Sequence, residues 1–121
     1  MSKRVLIVDD SLAMRRMIAF TLESGGFEVA QGTNGSEALD LLGQFAPDLI
    51  IADVNMPIMD GISFVRQARQ KPGLETIPIL MLTTENLNSR VKEGREAGAS
   101  GWLIKPFHPE RLMEVVERVL P

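Results

Sequence analysis

Four short stretches carry the side chains able to do chemistry: Asp9-Asp10-Ser11, Asp53, Thr83-Thr84-Glu85 and Lys105-Pro106. They offer carboxylates, hydroxyls and one amine. The chain has no cysteine and a single histidine, His108, which excludes thiolate catalysis, cysteine-based zinc sites and a histidine-rich metal site. Carboxylates drawn together in one crevice repel one another and raise the pKa of one of them, and a divalent cation relieves that repulsion. Oxygen-only donors select a hard ion, and a few carboxylates with retained water suit magnesium (Mg2+), with manganese the alternative. Beside such an ion an ionised aspartate is a phosphoryl acceptor, the metal and a lysine neutralising the transferred oxygens. Asp53, Lys105 and Thr83 supply acceptor, cation and hydroxyl. Asp9-Asp10-Ser11 puts negative charge where dinucleotide loops place glycines, which argues against a bare phosphate cradle.

These stretches act together only if the fold brings them together, and the flanking sequence says how. Each follows a short, continuous apolar run: Val5-Leu-Ile-Val8, Leu49-Ile-Ile-Ala52, Ile79-Leu-Met-Leu82 and Gly101-Trp-Leu-Ile104. Such runs read as parallel strands buried on both faces. Phe27 to Ala30 is a weaker, alternating stretch suited to a strand nearer the sheet edge, and Gly25-Gly26 before it can end a helix. Between strands the period becomes helical: Met14, Met17, Ile18 and Leu22; Ala38, Leu41, Leu42 and Phe45; Leu112, Val115, Val116 and Val119. Residues 62–70 and 87–97 also read as helices, the latter with a thin stripe of Leu87, Val91 and Ala97. Asn34 with Glu37 has capping-box spacing, Pro109-Glu110 has the composition of a first helical turn, and Asp60-Gly61 reads as a turn.

Five strands alternating with five helices imply an α/β fold with a parallel sheet covered on both faces. In such sheets the reactive crevice lies beyond the carboxyl ends of the strands, where the strand order reverses, and all four stretches fall at that edge. The length of 121 residues fits one domain. A charge of -3 without a basic run speaks against direct nucleic-acid binding. No stretch approaches the roughly 20 apolar residues of a membrane span, and no signal-peptide pattern follows Met1 to Arg4, so the expected location is cytoplasmic.

Asp9-Asp10, Asp53-Val-Asn-Met-Pro57 with Met59-Asp60-Gly61, Thr83, and Lys105-Pro106-Phe107 together resemble response-regulator receiver domains over essentially the whole chain. The resemblance implies a doubly wound, flavodoxin-like sheet of order 2-1-3-4-5. It implies Asp53 as phosphoacceptor, and Asp9, Asp10, Asp53 and the main-chain carbonyl of Asn55 as metal ligands. Lys105 would pair with the phosphoryl group and Thr83 would hydrogen-bond it. Lys105-Pro106 resembles the family's cis peptide, and Trp102 stands where the family carries the aromatic that rotates on activation. Thr84 occupies a place where many receivers have alanine or glycine. Asn55 and Glu85 stand where side chains flank the attacking water in self-dephosphorylation.

Val54-Asn-Met-Pro57 and Gly101-Trp-Leu-Ile-Lys-Pro-Phe107 make stand-alone chemotaxis regulators of the CheY type the nearest resemblance. The expected role is a two-component signalling switch, not an enzyme acting on other molecules. Its expected partners are a histidine kinase, a downstream target such as the flagellar motor switch, and a phosphatase. Its Thr83 and Trp102 would respond to the phosphoryl group and alter the face of the last two helices. The alternatives are a phosphorelay intermediate or a magnesium-dependent aspartyl-phosphate phosphatase. The phosphatase generally needs an acid two residues beyond its nucleophile, where this chain has Asn55.

Overall fold

Along a strand, successive side chains point to opposite faces of the sheet, so an unbroken apolar run feeds two cores at once. The computed structural model, which describes residues 2–84 and 88–121, shows this arrangement. Its strands are β1 (Arg4–Val8), β2 (Glu28–Gly32), β3 (Leu49–Asp53), β4 (Ile79–Thr83) and β5 (Gly101–Ile104). They alternate with helices α1 (Leu12–Ser24), α2 (Gly35–Leu41), α3 (Gly61–Arg69), α4 (Asn88–Ala97) and α5 (Pro109–Val119). The sheet is parallel with strand order β2-β1-β3-β4-β5, as the family resemblance implies.

Val5, Ile7, Leu49, Ile51, Leu80, Leu82 and Leu103 pack with α1 and α5 on one face. Their neighbours in sequence, Leu6, Val8, Ile50, Ala52, Ile79 and Met81, pack with α2, α3 and α4 on the other. Each large aliphatic side chain removed from water contributes about 1.5–3 kcal/mol, so the central strands are the most firmly held part of the molecule. That rigidity carries to their carboxyl ends, where β1 and β3 are adjacent and the strand order reverses.

The helix boundaries follow local chemistry. Ser11 caps α1 by accepting the Met14 N–H, and Gly25 and Gly26, the latter at φ 91°, end it. Asn34 caps α2 by accepting the Glu37 N–H, while the Glu37 carboxylate reaches back to the Thr33 N–H. Pro109 opens α5 behind His108, a helix-start residue whose side chain makes no capping bond.

Three readings of the sequence change in detail. The edge strand β2 begins and ends later than expected, at Glu28 and Gly32. Helix α2 stops at Leu41 although the apolar stripe continues to Phe45. There the N–H groups of Gly43 and Gln44 turn to carbonyls three residues back, because a helical glycine costs about 1 kcal/mol and the turn still lets Phe45 reach the core. On α1 the buried set is Arg15, Ile18, Ala19 and Leu22, with Met14 and Met17 only partly covered. Leu87 of the thin α4 stripe lies outside the described residues.

Candidate metal-binding and phosphoacceptor site

β1 and β3 deliver Asp9 and Asp53 side by side, since Val8 pairs with Ala52 in register and Asp9 directly follows the strand. Thr83 and Lys105 arrive from the ends of β4 and β5, where the Lys105 N–H donates to the Thr83 carbonyl at 2.8 Å. The Lys105–Pro106 peptide is cis. The Lys105 ammonium lies 3.0 Å from Asp9 Oδ2 and 3.4 Å from Asp53 Oδ2. Asp9, Asp53 and Thr83 are buried, while Asp10 and Asn55 are exposed at the mouth.

Carboxylate oxygens of Asp9, Asp10 and Asp53 lie within 4.8 Å of one another. One lysine does not offset three acids. Burial, and after it the charge of Asp9, pushes the Asp53 carboxyl up to about 6, against the opposing pull of Lys105 and the Asn55 N–H. Burial alone would depress the Lys105 ammonium, but its hydrogen bond to Asp9 and the charges of both aspartates leave its pKa raised, so the lysine stays charged. The donors are oxygens, one is accessible from solvent, and the cluster lacks positive charge: the residues fit a hard divalent cation.

The loop after β3 is built to approach this cluster closely. Asp60 caps α3 by accepting the Ser63 N–H at 2.8 Å. The Gly61 N–H donates to the Val54 carbonyl at 2.8 Å, and a Cβ at Gly61 would strike the Asp53 carbonyl oxygen. Asp60-Gly61, read from sequence as a turn, is thus a helix start that only glycine permits against the Asp53 backbone. Ile58 sits in the same loop at φ 71°, an outlier for a β-branched residue, and is 82% exposed.

Of the expected site residues, the structure brings together Asp9, Asp10, Asp53, Asn55, Thr83 and Lys105; Glu85 lies outside the described residues. Thr84 is exposed at the end of β4. Trp102 is on β5, away from the carboxylates, half-buried on the core face shared with α4. Its six-membered ring occupies the space where a side chain at Gly94 would stand, with Cη2 2.9 Å from the position of such a Cβ. Sequence reading passed over Gly94, although an interior helical glycine is itself a signal of close packing. It also passed over Arg15, which has no periodic signature.

A family model for the response regulator receiver domain matches residues 5–117, and the chain belongs to that family. Among its relatives are chemotaxis proteins. It is 36% identical over 121 residues to the chemotaxis protein CheY of Bacillus subtilis, covering 99% of each chain. It is 40% identical over 119 residues to CheY1 of Helicobacter pylori, covering 97% of this chain and 96% of that one. A solved structure of Vibrio cholerae CheY4 superposes with a TM-score of 0.97 at 45% identity, covering 99% of this chain and 100% of that one. The chain also matches 52% of the transcriptional regulatory protein PhoB of Escherichia coli at 32% identity, so the same module occurs within longer regulators.

Two expectations follow from the geometry. The folded Asp53 pKa near 6 lies above its ordinary 3.8, so the native state binds the extra proton between those values. The resulting stability is present at low pH and lost as pH rises through 6. Asp53→Asn is therefore expected to stabilise the metal-free protein by about 1–3 kcal/mol at pH 7 and to change little at pH 4. Urea unfolding at both pH values checks this; equal effects would contradict it. Gly94→Ala is expected to drive the indole of Trp102, the only tryptophan in the chain, from its seat. Red-shifted emission and greater acrylamide quenching would report the displacement.

Proposed function

We propose that the protein is a phosphorylation-dependent switch: Asp53 accepts a phosphoryl group from a phosphohistidine of a kinase. The observation that carries this reading is the Lys105 ammonium held between Asp9 and Asp53, with the exposed Asp10 completing a three-carboxylate cluster. In the transfer, an Asp53 carboxylate oxygen bonds to phosphorus as the bond from phosphorus to the donor's imidazole nitrogen breaks. The imidazole leaves with the electron pair and takes a proton from solvent.

Asp9, Asp10, Asp53 and the Asn55 carbonyl would hold a magnesium ion, which when bound neutralises charge on the transferred oxygens. The chain's own groups do the rest. Lys105, anchored by Asp9, would keep a positive charge beside the acceptor, and the Thr83 hydroxyl at the neighbouring strand end would hydrogen-bond the phosphoryl oxygens. Asn55 at the mouth and Glu85 two residues beyond Thr83 would flank water during hydrolysis of the aspartyl phosphate. The protein would thus act only on its own acyl phosphate.

β4 and β5 join this site to the α4–β5 face: Thr83 pairs with Ile104 and Met81 with Trp102 in register. A pull on Thr83 would therefore reach the strand that carries Trp102, and the faces of α4 and α5 would change their affinity for a target. The likeness to CheY proteins supports chemotaxis as the pathway and the flagellar motor switch as the target. No described helix is long and apolar enough to cross a membrane, which agrees with action as a diffusible messenger in the cytoplasm.

Intact-mass analysis after incubation with a small phosphodonor tests the acceptor chemistry. One phosphoryl adduct is expected in the presence of magnesium, and none in its absence or in Asp53→Asn. An adduct that survives Asp53→Asn would place the acceptor elsewhere.

A further inference from the structure

Arg15 is a buried cation for which the phosphoryl chemistry described above has no use. It lies on α1 with 9% of its surface exposed. Its Nη1 donates to the main-chain carbonyl of Asp9 at 2.7 Å within the protein interior. That carbonyl belongs to the peptide joining Asp9 to Asp10. The next peptide is held as well, since the Ser11 N–H donates to Asp9 Oδ1 at 2.8 Å. Asp9 itself is fixed at its N–H by the Gly32 carbonyl at 3.2 Å and at Oδ2 by Lys105 at 3.0 Å.

Asp10 is exposed and sits between these two clamped peptides. With both flanking peptide planes fixed, its Cα–Cβ direction is fixed too. From that Cβ its carboxylate oxygen lies within 4.8 Å of those of Asp9 and Asp53, a position its charge resists. A free turn would swing Asp10 outward into water, since like charges separate when nothing restrains them.

We propose that Arg15 is a positioning residue for the metal site: its guanidinium fixes the Asp9–Asp10 peptide and so holds the exposed Asp10 carboxylate facing Asp53. This rests on the reading of the cluster as a magnesium site. Two other roles for Arg15 make different predictions. As a distant positive charge it would oppose metal binding, and its removal would tighten the site. As packing alone it would alter stability and leave metal affinity unchanged.

The test is calorimetric titration of magnesium into the wild-type protein, Arg15→Lys and Arg15→Met, with urea unfolding run alongside. Arg15→Lys keeps the charge but shortens the reach by one bond and loses the planar fork. It is expected to weaken magnesium binding about tenfold, the scale on which groups that orient metal ligands act. Its phosphoryl labelling rate is expected to return to the wild-type value at saturating magnesium, which a general loss of folding would not allow. Arg15→Met, whose apolar side chain suits the buried position, is expected to weaken binding as well. It carries the test should the buried lysine prevent folding. Wild-type affinity in a folded Arg15→Lys, or tighter binding in Arg15→Met, would overturn the positioning role. Failure of the wild-type protein itself to bind magnesium would instead overturn the metal reading and this inference with it.

Discussion

Two buried carboxylates share one ammonium group. Lys105 reaches Asp9 and Asp53 at once, and neither acid has another cation near enough to replace it among the described ion pairs. Burying an unpaired charge costs several kcal/mol, so this shared ammonium adds to the sheet's own hydrogen bonds in tying together the ends of β1, β3 and β5. The parallel order of the sheet makes the contact possible, because only at the strand-order reversal do the ends of β1 and β3 lie side by side. The pairing is also incomplete. Asp53 retains a pKa near 6, and the deficit of positive charge is what fits the cluster to a divalent cation.

The surrounding backbone is shaped to keep that tension in place. Gly61 lets α3 begin against the carbonyl of Asp53 itself, and Ile58 holds a left-handed conformation in the intervening loop. Backbone strain of this kind costs of order 1–3 kcal/mol and persists only where the rest of the fold enforces it. Here the enforcement comes from two fully buried strands, β3 and β4, whose every residue is covered. Stability is thus concentrated in the sheet and spent at its carboxyl edge.

Much of this was legible in the residues. Continuous apolar runs such as Leu49–Ala52 can be buried only on both faces, so the layered α/β architecture and the location of Asp9, Asp53, Thr83 and Lys105 at one edge followed from pattern alone. The order of the strands did not; it came with the family resemblance, since alternation is compatible with several orders. The contributions of Gly61, Gly94 and Arg15 were also hidden. A glycine's role depends on what approaches it from elsewhere in the chain, and an arginine on an amphipathic helix reads as surface until the fold puts a carbonyl within its reach. Helix α2 ended early because a local turn at Gly43 outweighed a stripe that the core could satisfy without a helix.

Asp53 is an unfavourably buried carboxyl group within a cluster that fits a cation. Titration of its side-chain carboxyl carbon by NMR, with and without magnesium, tests this most directly. A pKa near 6 in the metal-free protein is expected, falling by more than one unit as magnesium is added. An ordinary aspartate value in the metal-free protein, indifferent to magnesium, would contradict it.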